Sequence, residues 1–351
     1  MKVAIPEHRV EEFGEGDSSP RKILILKFSS LGDIIQALPV AAGLRRRWPS
    51  AEIHWMAFAP YRDLLANHPA IDRFVELPRR RKTAGNLLRD LGRCLASVRK
   101  EHYDLLLDMQ GLLRSGLVCL LSGAKRRIGP WNGREGSVLL YRERVMPPPP
   151  PAQERYLAFL RHLRVSVGPA DYGLVPGPVE LPGLRKGAYV VLHPYARWRT
   201  KLWPWRYYGE LTRSLPQLSF VVMGIGPWFP LEEKNVIDLR GPLPIRQMMA
   251  LLGNAMAAVG PDSGPAHLAA SLGVATLILF GPTDWRESAS AGENVRVLSA
   301  AVSCAPCWRT SCPQARPVAC LSDISPSRVR KELEAIYAKA AVNGTICASI
   351  S

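Results

Sequence analysis

Long apolar runs are missing from this chain. The longest, such as LLLDM and TLILF, break well before the ~18–20 residues that span a bilayer, which argues against a transmembrane helix. A secretory leader is missing as well. The opening MKVAIPEHRVEEFGEG carries acids and no long apolar region, so the chain is expected in the cytoplasm. Acid is scarce: Asp and Glu number 30 against 46 Lys and Arg, a net charge of +16. An excess of that size implies an acidic partner, whether nucleic acid, an anionic membrane face or a phosphorylated substrate. No helix-turn-helix, zinc-finger or RNA-binding signature occurs. The basic clusters Arg45-Arg46-Arg47, Arg79-Arg80-Arg81-Lys82 and Lys125-Arg126-Arg127 lack the interleaved aromatics of a single-strand surface. Nucleic acid is therefore set aside in favour of a membrane surface that carries anionic groups. No DxD-type metal motif is present either.

What the chain does have is length and two series of strands and helices. At 351 residues, 47% of them hydrophobic, two domains are the better expectation. KILILKF, AEIHWMAF, RFVELP and YDLLLDMQ read as strands, with IIQALPVAAGLRRRW and GNLLRDLGRCLASVRKE as helices between them. RIGP and ERVMP follow as short strands. The run PPPPP at 147–151 cannot be helix or central strand and marks a stiff bend. ERYLAFLRHLRVSV is a helix, and the Pro- and Gly-rich stretch 167–187 reads as a linker. A second series then begins with GAYVVLHPYA, LSFVVMGIGP, MAAVGPD and TLILFGP as strands. WRYYGELTRSL, IRQMMALLGNA and GPAHLAASLG are its helices, and residues 326–341 form an amphipathic helix at the end. Two such series imply an α/β protein of two doubly wound domains facing a cleft.

Four places carry chemistry. In KFSSLGDIIQALP a buried strand runs through a small-residue turn into a helix. This puts Asp33 at the carboxyl end of a strand, where open α/β sheets bind ligands. A carboxylate there can take a proton from an incoming hydroxyl, or it can simply cap the helix. The loop HPYARWRTKLWP holds Arg197, Arg199 and Lys201 together. That suits a phosphate or pyrophosphate, or it is a solvated basic loop, a reading that Trp198 and Trp203 weaken. In VGPDSGPAHLAA a strand ends at Asp262, and Ser263 and Gly264 turn the chain into a helix whose N–H groups can face a phosphate. His267 lies in its first turn. The alternative is an ordinary capped helix with a packed histidine. Fourth, Cys304, Cys307, Cys312 and Cys320 fall within CAPCWRTSCPQARPVAC. A CxxC start fits Zn²⁺, and four cysteines so close could form disulfides if oxidised, but the later spacings match no standard zinc ribbon. A reduced, cysteine-rich surface loop without metal is the preferred reading.

Taken together, KFSSLGDIIQALP, LDMQGLLRS, HPYARWRTKLWP, VGPDSGPAHLAASLG and FGPTD resemble glycosyltransferase family 9, the ADP-heptose:lipopolysaccharide heptosyltransferases. They do so in order and spacing over about residues 22–340. The resemblance implies a GT-B fold. Residues 21–170 would be a Rossmann-like acceptor domain and 171–325 a Rossmann-like nucleotide-sugar domain. Residues 326–341 would be a helix crossing back to the first domain, with 1–20 and 342–351 as tails. It implies Asp33 as general base and Lys201 as the phosphate lysine. Asp262, Ser263, Gly264 and His267 would form the donor turn. On the acceptor side would stand Ser30, Gly32, Arg134 and a basic loop of Arg79, Arg80, Arg81 and Lys82. The implied donor is ADP-heptose with no cofactor required. The implied acceptor is the lipopolysaccharide core, as lipid A–Kdo or a heptosylated core, met at the inner face of the inner membrane. Two departures stand out. GPWFPLEEKNVIDL is short and holds two prolines, leaving Glu232 or Glu233 to replace the family's ribose-contacting acid. Tyr195, Ala196, Arg197 and Trp198 stand where small hydroxyl residues are usual.

Overall fold

The computed structural model describes residues 19–78, 84–146, 148, 150–167, 171–179, 184–290 and 292–342, with only the backbone of 84–88. The chain divides into two compact units. One takes the chain up to residue 149 together with 154–173, and the other takes 150–153 and everything from 174 onward.

The first unit is built on six parallel strands: β1 (Lys22–Leu26), β2 (Glu52–Ala57), β3 (Arg73–Glu76), β4 (Leu105–Asp108), β5 (Arg126–Pro130) and β6 (Glu143–Val145). Their order is β3-β2-β1-β4-β5-β6. The second unit carries β7 (Tyr189–Leu192), β8 (Ser219–Gly224), β9 (Val236–Arg240), β10 (Ala257–Pro261), β11 (Ala275–Phe280) and β12 (Val295–Ser299), in the order β12-β11-β10-β7-β8-β9. Counted from β7 the second sheet repeats the order of the first. The central strands KILIL, LLLD, YVVL and AAVGP are apolar almost throughout and buried. That is the signature of a parallel sheet covered on both faces. In each sheet the direction of winding reverses at one place, between β1 and β4 and between β7 and β10. Loops leaving the carboxyl ends of strands diverge there, and the crevice between them is where such sheets take ligands.

Helices fix what those crevices contain. The helix Leu31–Arg47 buries a continuous band from Ile34 to Leu44. At Gly43 it meets the helix Ala152–His162 so closely that a Cβ would sit 2.5 Å from Leu160 Cδ1. Glycine at that crossing brings Tyr156, one turn before Leu160, to the start of the helix Leu31–Arg47. In the second unit the helix Pro326–Val342 buries Val329, Leu333 and Ile336 in the core, packed on the helix Trp205–Ser214 and on β11. Those contacts attach it to the second unit; the crossing to the first, implied by the resemblance, is not what they describe. Among the described residues no helix is long and apolar enough to cross a membrane.

The sequence pattern did not mark β9, β12 or the helix Leu113–Leu121. Both strands are edges with half-exposed, partly charged residues, VIDLR and VRVLS. In LRSGLVCLL apolar residues fall all round the helix, so no period shows.

Candidate active site

At the β1–β4 crevice the chain leaves Leu26 through Lys27, Phe28 and Ser29. Ser30 then caps the helix that begins at Leu31. Asp33, half-buried, is tied at both oxygens. Ser30 donates to Oδ2 from its backbone N–H at 3.1 Å and its hydroxyl at 2.7 Å, and the Tyr156 hydroxyl donates to Oδ1 at 3.0 Å. The capping contact read from sequence is therefore present, and a tyrosine from 123 residues away completes the carboxylate's shell. Burial pushes the Asp33 pKa up. The Lys27 ammonium, Ser30 and Tyr156 outweigh it, and the carboxyl ends below its ordinary range. Lys27 is 5% exposed, with its ammonium 5.5 Å from the centre of the Tyr156 ring. Burial lowers its pKa, Asp33 and Asp108 pull it back up, and Arg134 adds to the lowering.

The β4 side holds this loop in shape. Gln110 Oε1 accepts the N–H groups of Phe28 and Ser29 at 3.0 and 3.3 Å. Gln110 is itself fixed by buried Asp108, whose Oδ1 accepts the N–H groups of Gln110 and Gly111 at 2.9 and 3.1 Å while Tyr141 donates to Oδ2 at 2.8 Å. Gly111 has φ +66 and lies so close to Pro130 that a Cβ would stand 2.8 Å from its ring, so only glycine fits. Its carbonyl accepts Arg134 N–H at 2.8 Å, which sets exposed Arg134 beside the crevice. Arg114 lies over Phe28 and Phe58, at 5.6 and 5.0 Å from the ring centres. Sequence reasoning placed Asp33, Ser30, Gly32 and Arg134 here. It missed Lys27, Gln110 and Tyr156. A lysine directly after an apolar strand was a legible signal for Lys27; Tyr156 had none.

At the β7–β10 crevice everything converges on Asp262, 7% exposed. Lys201 Nζ donates to Oδ2 at 2.6 Å, Thr283 donates to the same oxygen at 2.8 Å, and His267 Nε2 is 3.1 Å from Oδ1. The other nitrogen of His267 meets Ser290 Oγ at 2.9 Å. Burial works against ionising Asp262, yet His267 and Lys201 hold its carboxyl well below the usual range. Lys201 also stands 4.9 Å from the centre of the Trp198 ring. An ammonium has three donors; two of them go to Asp262, to Oδ2 and at 3.4 Å to its carbonyl, so the pairing fixes Lys201 and leaves one donor for a ligand. Ser263 is the N-cap of the helix Gly264–Ser271, with Pro265 in its first turn, but its hydroxyl does not cap it. The hydroxyl lies 3.4 Å from His193 Nδ1 instead. Burial drops His193 to about 4. Thus Lys201, Asp262, Ser263, Gly264 and His267 come together. Thr283, Ser290 and His193 join them, and sequence reasoning had not named these three.

Other expected residues lie elsewhere. Glu232 is exposed, and neighbouring Glu233 pairs with Arg213 at 2.6 Å. Close by, Asn235 binds the carbonyls of Thr212, Leu215 and Leu218, which lie just before β8. That is the amino end of the strand, opposite the Asp262 end, so neither acid is brought to the crevice. At the carboxyl end of β8 the ring of Tyr195 lies against Gly224 and Gly226, where a Cβ would stand 2.7 and 2.1 Å from it. Arg79, Arg80, Arg81 and Lys82 lie outside the described residues. Cys304, Cys307, Cys312 and Cys320 are free thiols lining one cavity of about 260 Å³. Cys312 accepts Val318 N–H at 3.4 Å, and burial pushes Cys320 up to about 11. Among the described residues no group of three or more His, Cys, Asp or Glu is arranged to hold a metal ion. The cysteine loop backs onto the second crevice. Thr200, beside Lys201, donates to Arg309 O at 2.7 Å, and Pro282 O, beside Thr283, accepts the N–H groups of Cys307 and Trp308 at 3.0 and 2.8 Å.

Residues 91–316 match the family model for glycosyltransferase family 9 (heptosyltransferase). Lipopolysaccharide heptosyltransferase 1 of Pseudomonas aeruginosa is 30% identical over 90% of this chain and 98% of its own length. Lipopolysaccharide heptosyltransferase 2 of Escherichia coli K12 is 26% identical over 90% and 98%. Among solved structures, E. coli heptosyltransferase WaaC with ADP-2-deoxy-2-fluoro heptose superposes with a TM-score of 0.70 at 20% identity, covering 90% of this chain and 99% of that one.

Proposed function

The chain belongs to glycosyltransferase family 9, the heptosyltransferases, and on that premise we propose that it transfers heptose from ADP-heptose to the inner core of lipopolysaccharide with inversion at the anomeric carbon. The observation that carries this reading is the cluster around Asp262. A lysine is fixed at 2.6 Å from a buried carboxylate, beside a helix start whose own cap residue leaves its N–H groups uncapped. Such a site suits a pyrophosphate, through a positive charge and backbone donors that need no reorganisation. WaaC, similar in fold, is a structure with an ADP-heptose analogue, which supports the same donor class here.

In this mechanism Asp33 accepts the proton of the acceptor hydroxyl as its oxygen attacks the anomeric carbon. The transition state is oxocarbenium-like, and ADP departs from the opposite face. Negative charge then grows on the pyrophosphate, where Lys201 and the amides of Ser263 and Gly264 stabilise it. His267 and Thr283 act through Asp262, holding it so that it holds Lys201. Lys27 keeps Asp33 ionised, and Ser30, Gly32 and Arg134 face the acceptor. The basic residues 79–82 and the net charge of +16 fit a phosphorylated acceptor at the cytoplasmic face of the inner membrane. No metal or other cofactor is required by this scheme.

One observation favours a second reading. Tyr195 fills space beside Gly224 and Gly226 where family members carry small hydroxyl residues, which suits a related transferase with another nucleotide sugar. A donor screen decides between them. Purified protein is offered ADP-heptose and other nucleotide sugars with a heptose-deficient core acceptor, and products are read by mass spectrometry. A mass gain of one heptose from ADP-heptose alone is expected. Transfer from a different donor only would replace the first reading with the second, and no transfer from any donor would point to a non-catalytic GT-B binding protein.

A further inference from the structure

The helix Leu113–Leu121 is inside out for a surface helix. Leu113, Leu117, Leu120 and Leu121 are 42, 43, 38 and 44% exposed, while Ser115, Gly116, Val118 and Cys119 are buried. At about 100° per residue the four leucines share one arc of roughly 100°, the arc where a soluble helix places its charges. Leu139, 79% exposed, stands on the short turn Ser137–Leu140 packed beside this helix. Arginines rim the patch. Arg127 donates to Leu120 O at 3.1 Å, and the side chain of Arg99 passes Gly123, just beyond the helix end. The acid at this edge is Glu135, whose carboxylate accepts Leu113 N–H at 3.2 Å.

We propose that this leucine face is the surface on which the protein docks to an anionic phospholipid membrane. Leucines that enter the acyl boundary inside a ring of arginines that meet headgroup phosphates are what interfacial binding requires. A second copy of the chain fits less well. A two-fold contact would set the arginine rim against itself in a molecule already carrying +16, whereas an anionic surface is complementary. The inference gives a place to the membrane location proposed above and rests on that reading for its purpose, but its test does not depend on heptosyl transfer.

Full-length protein is co-sedimented with vesicles of phosphatidylglycerol and phosphatidylethanolamine, and with phosphatidylcholine alone. Preferential binding to the anionic vesicles is expected, weakening with salt. Leu117→Glu with Leu121→Glu should lower the bound fraction about tenfold or more, and Leu117→Ala with Leu121→Ala should lower it less, with an unchanged melting temperature. Transfer to a deacylated, water-soluble core acceptor should be the same in all three proteins. Anionic vesicle binding that is absent in the parent protein, or equal in the Ala and Glu variants and the parent, overturns the proposal. So does a parent dimer, seen by light scattering, that the Glu variant dissolves. Vesicle binding that depends on the leucines in a protein with no transferase activity would overturn the function proposed above and leave this surface standing.

Discussion

Asp33 is asked to be two things, and its hydrogen bonds say how both are possible. The Ser30 donors use Oδ2 and Tyr156 uses Oδ1, so an acceptor hydroxyl must replace or share one of these contacts. Tyr156 is the one that helix fraying would not cost. A carboxylate held below its ordinary range is fully ionised at neutral pH and a modest base, so its value lies in position. Asp33→Asn keeps the cap and should cut turnover by about 10²–10⁴-fold with ADP affinity unchanged; near-parental turnover would return Asp33 to capping alone. Lys27→Met removes the cation that most lowers the Asp33 pKa. Burial then dominates, so the acid limb of the kcat/KM profile should move to higher pH. An unmoved limb would mean that Lys27 is a packing residue. Lys201 belongs to the other crevice. Lys201→Ala should weaken ADP binding and slow turnover together, and Lys201→Arg should recover part of both, since a fork is not a point charge. Calorimetry showing parental ADP affinity in the alanine variant would contradict its role.

Individual elements show why some of this was legible beforehand and some was not. KILIL and AAVGP announce themselves as buried parallel strands, and the acids that end or follow them, Asp33 and Asp262, mark strand ends without any structure. The two strand orders reduce to one pattern, which is what alternating strands and helices imply. Gln110 and Thr283 stand inside quoted motifs, LDMQGLLRS and FGPTD, but their roles depend on partners from other strands and loops, while Tyr156 acts from a distant helix where nothing local distinguishes it. Glu232 misled for the opposite reason. Two prolines after Gly226 carry the chain back along β8, so an acid expected at the carboxyl edge sits at the amino edge. The cysteine loop had a local signal, CxxC, whose meaning the structure shifts. Through Thr200–Arg309 and Pro282–Cys307 it braces the segments that carry Lys201 and Thr283. Thr200→Val removes one brace without touching a charge, so it should weaken ADP binding severalfold while leaving the Asp33 acid limb where it was. Unchanged ADP binding, checked by calorimetry, would make the loop an appendage.

For the whole molecule, the buried histidines set the acid side of stability. Burial lowers His54 and His68 in the first unit and takes His193 in the second to about 4. Each has a folded pKa below its unfolded value near 6.5, so the unfolded chain binds the proton more readily. Their contribution is fully present above about pH 6.5 and is lost as pH falls toward the folded values. Asp33 and Asp262, also depressed, act in the same sense at lower pH: their contribution is present above the ordinary carboxylate range and disappears below it. Asp108, raised by burial, opposes them, because its proton is held more tightly in the folded state. The depressed carboxylates Asp33 and Asp262 stay ionised between pH 6.5 and 5, so the loss of stability in that window falls to the histidines, with Asp108 working against it. The melting temperature should therefore drop between pH 7.5 and 5 by about 5 °C or more. Histidines in both units take part, so both should feel the drop. His193→Asn removes one of these titrations from the second unit and should flatten its share of the slope while leaving the share of His54 and His68. Calorimetric scans at several pH values resolve this. An equal slope in parent and variant would take His193 out of the acid sensitivity and leave it to His54 and His68.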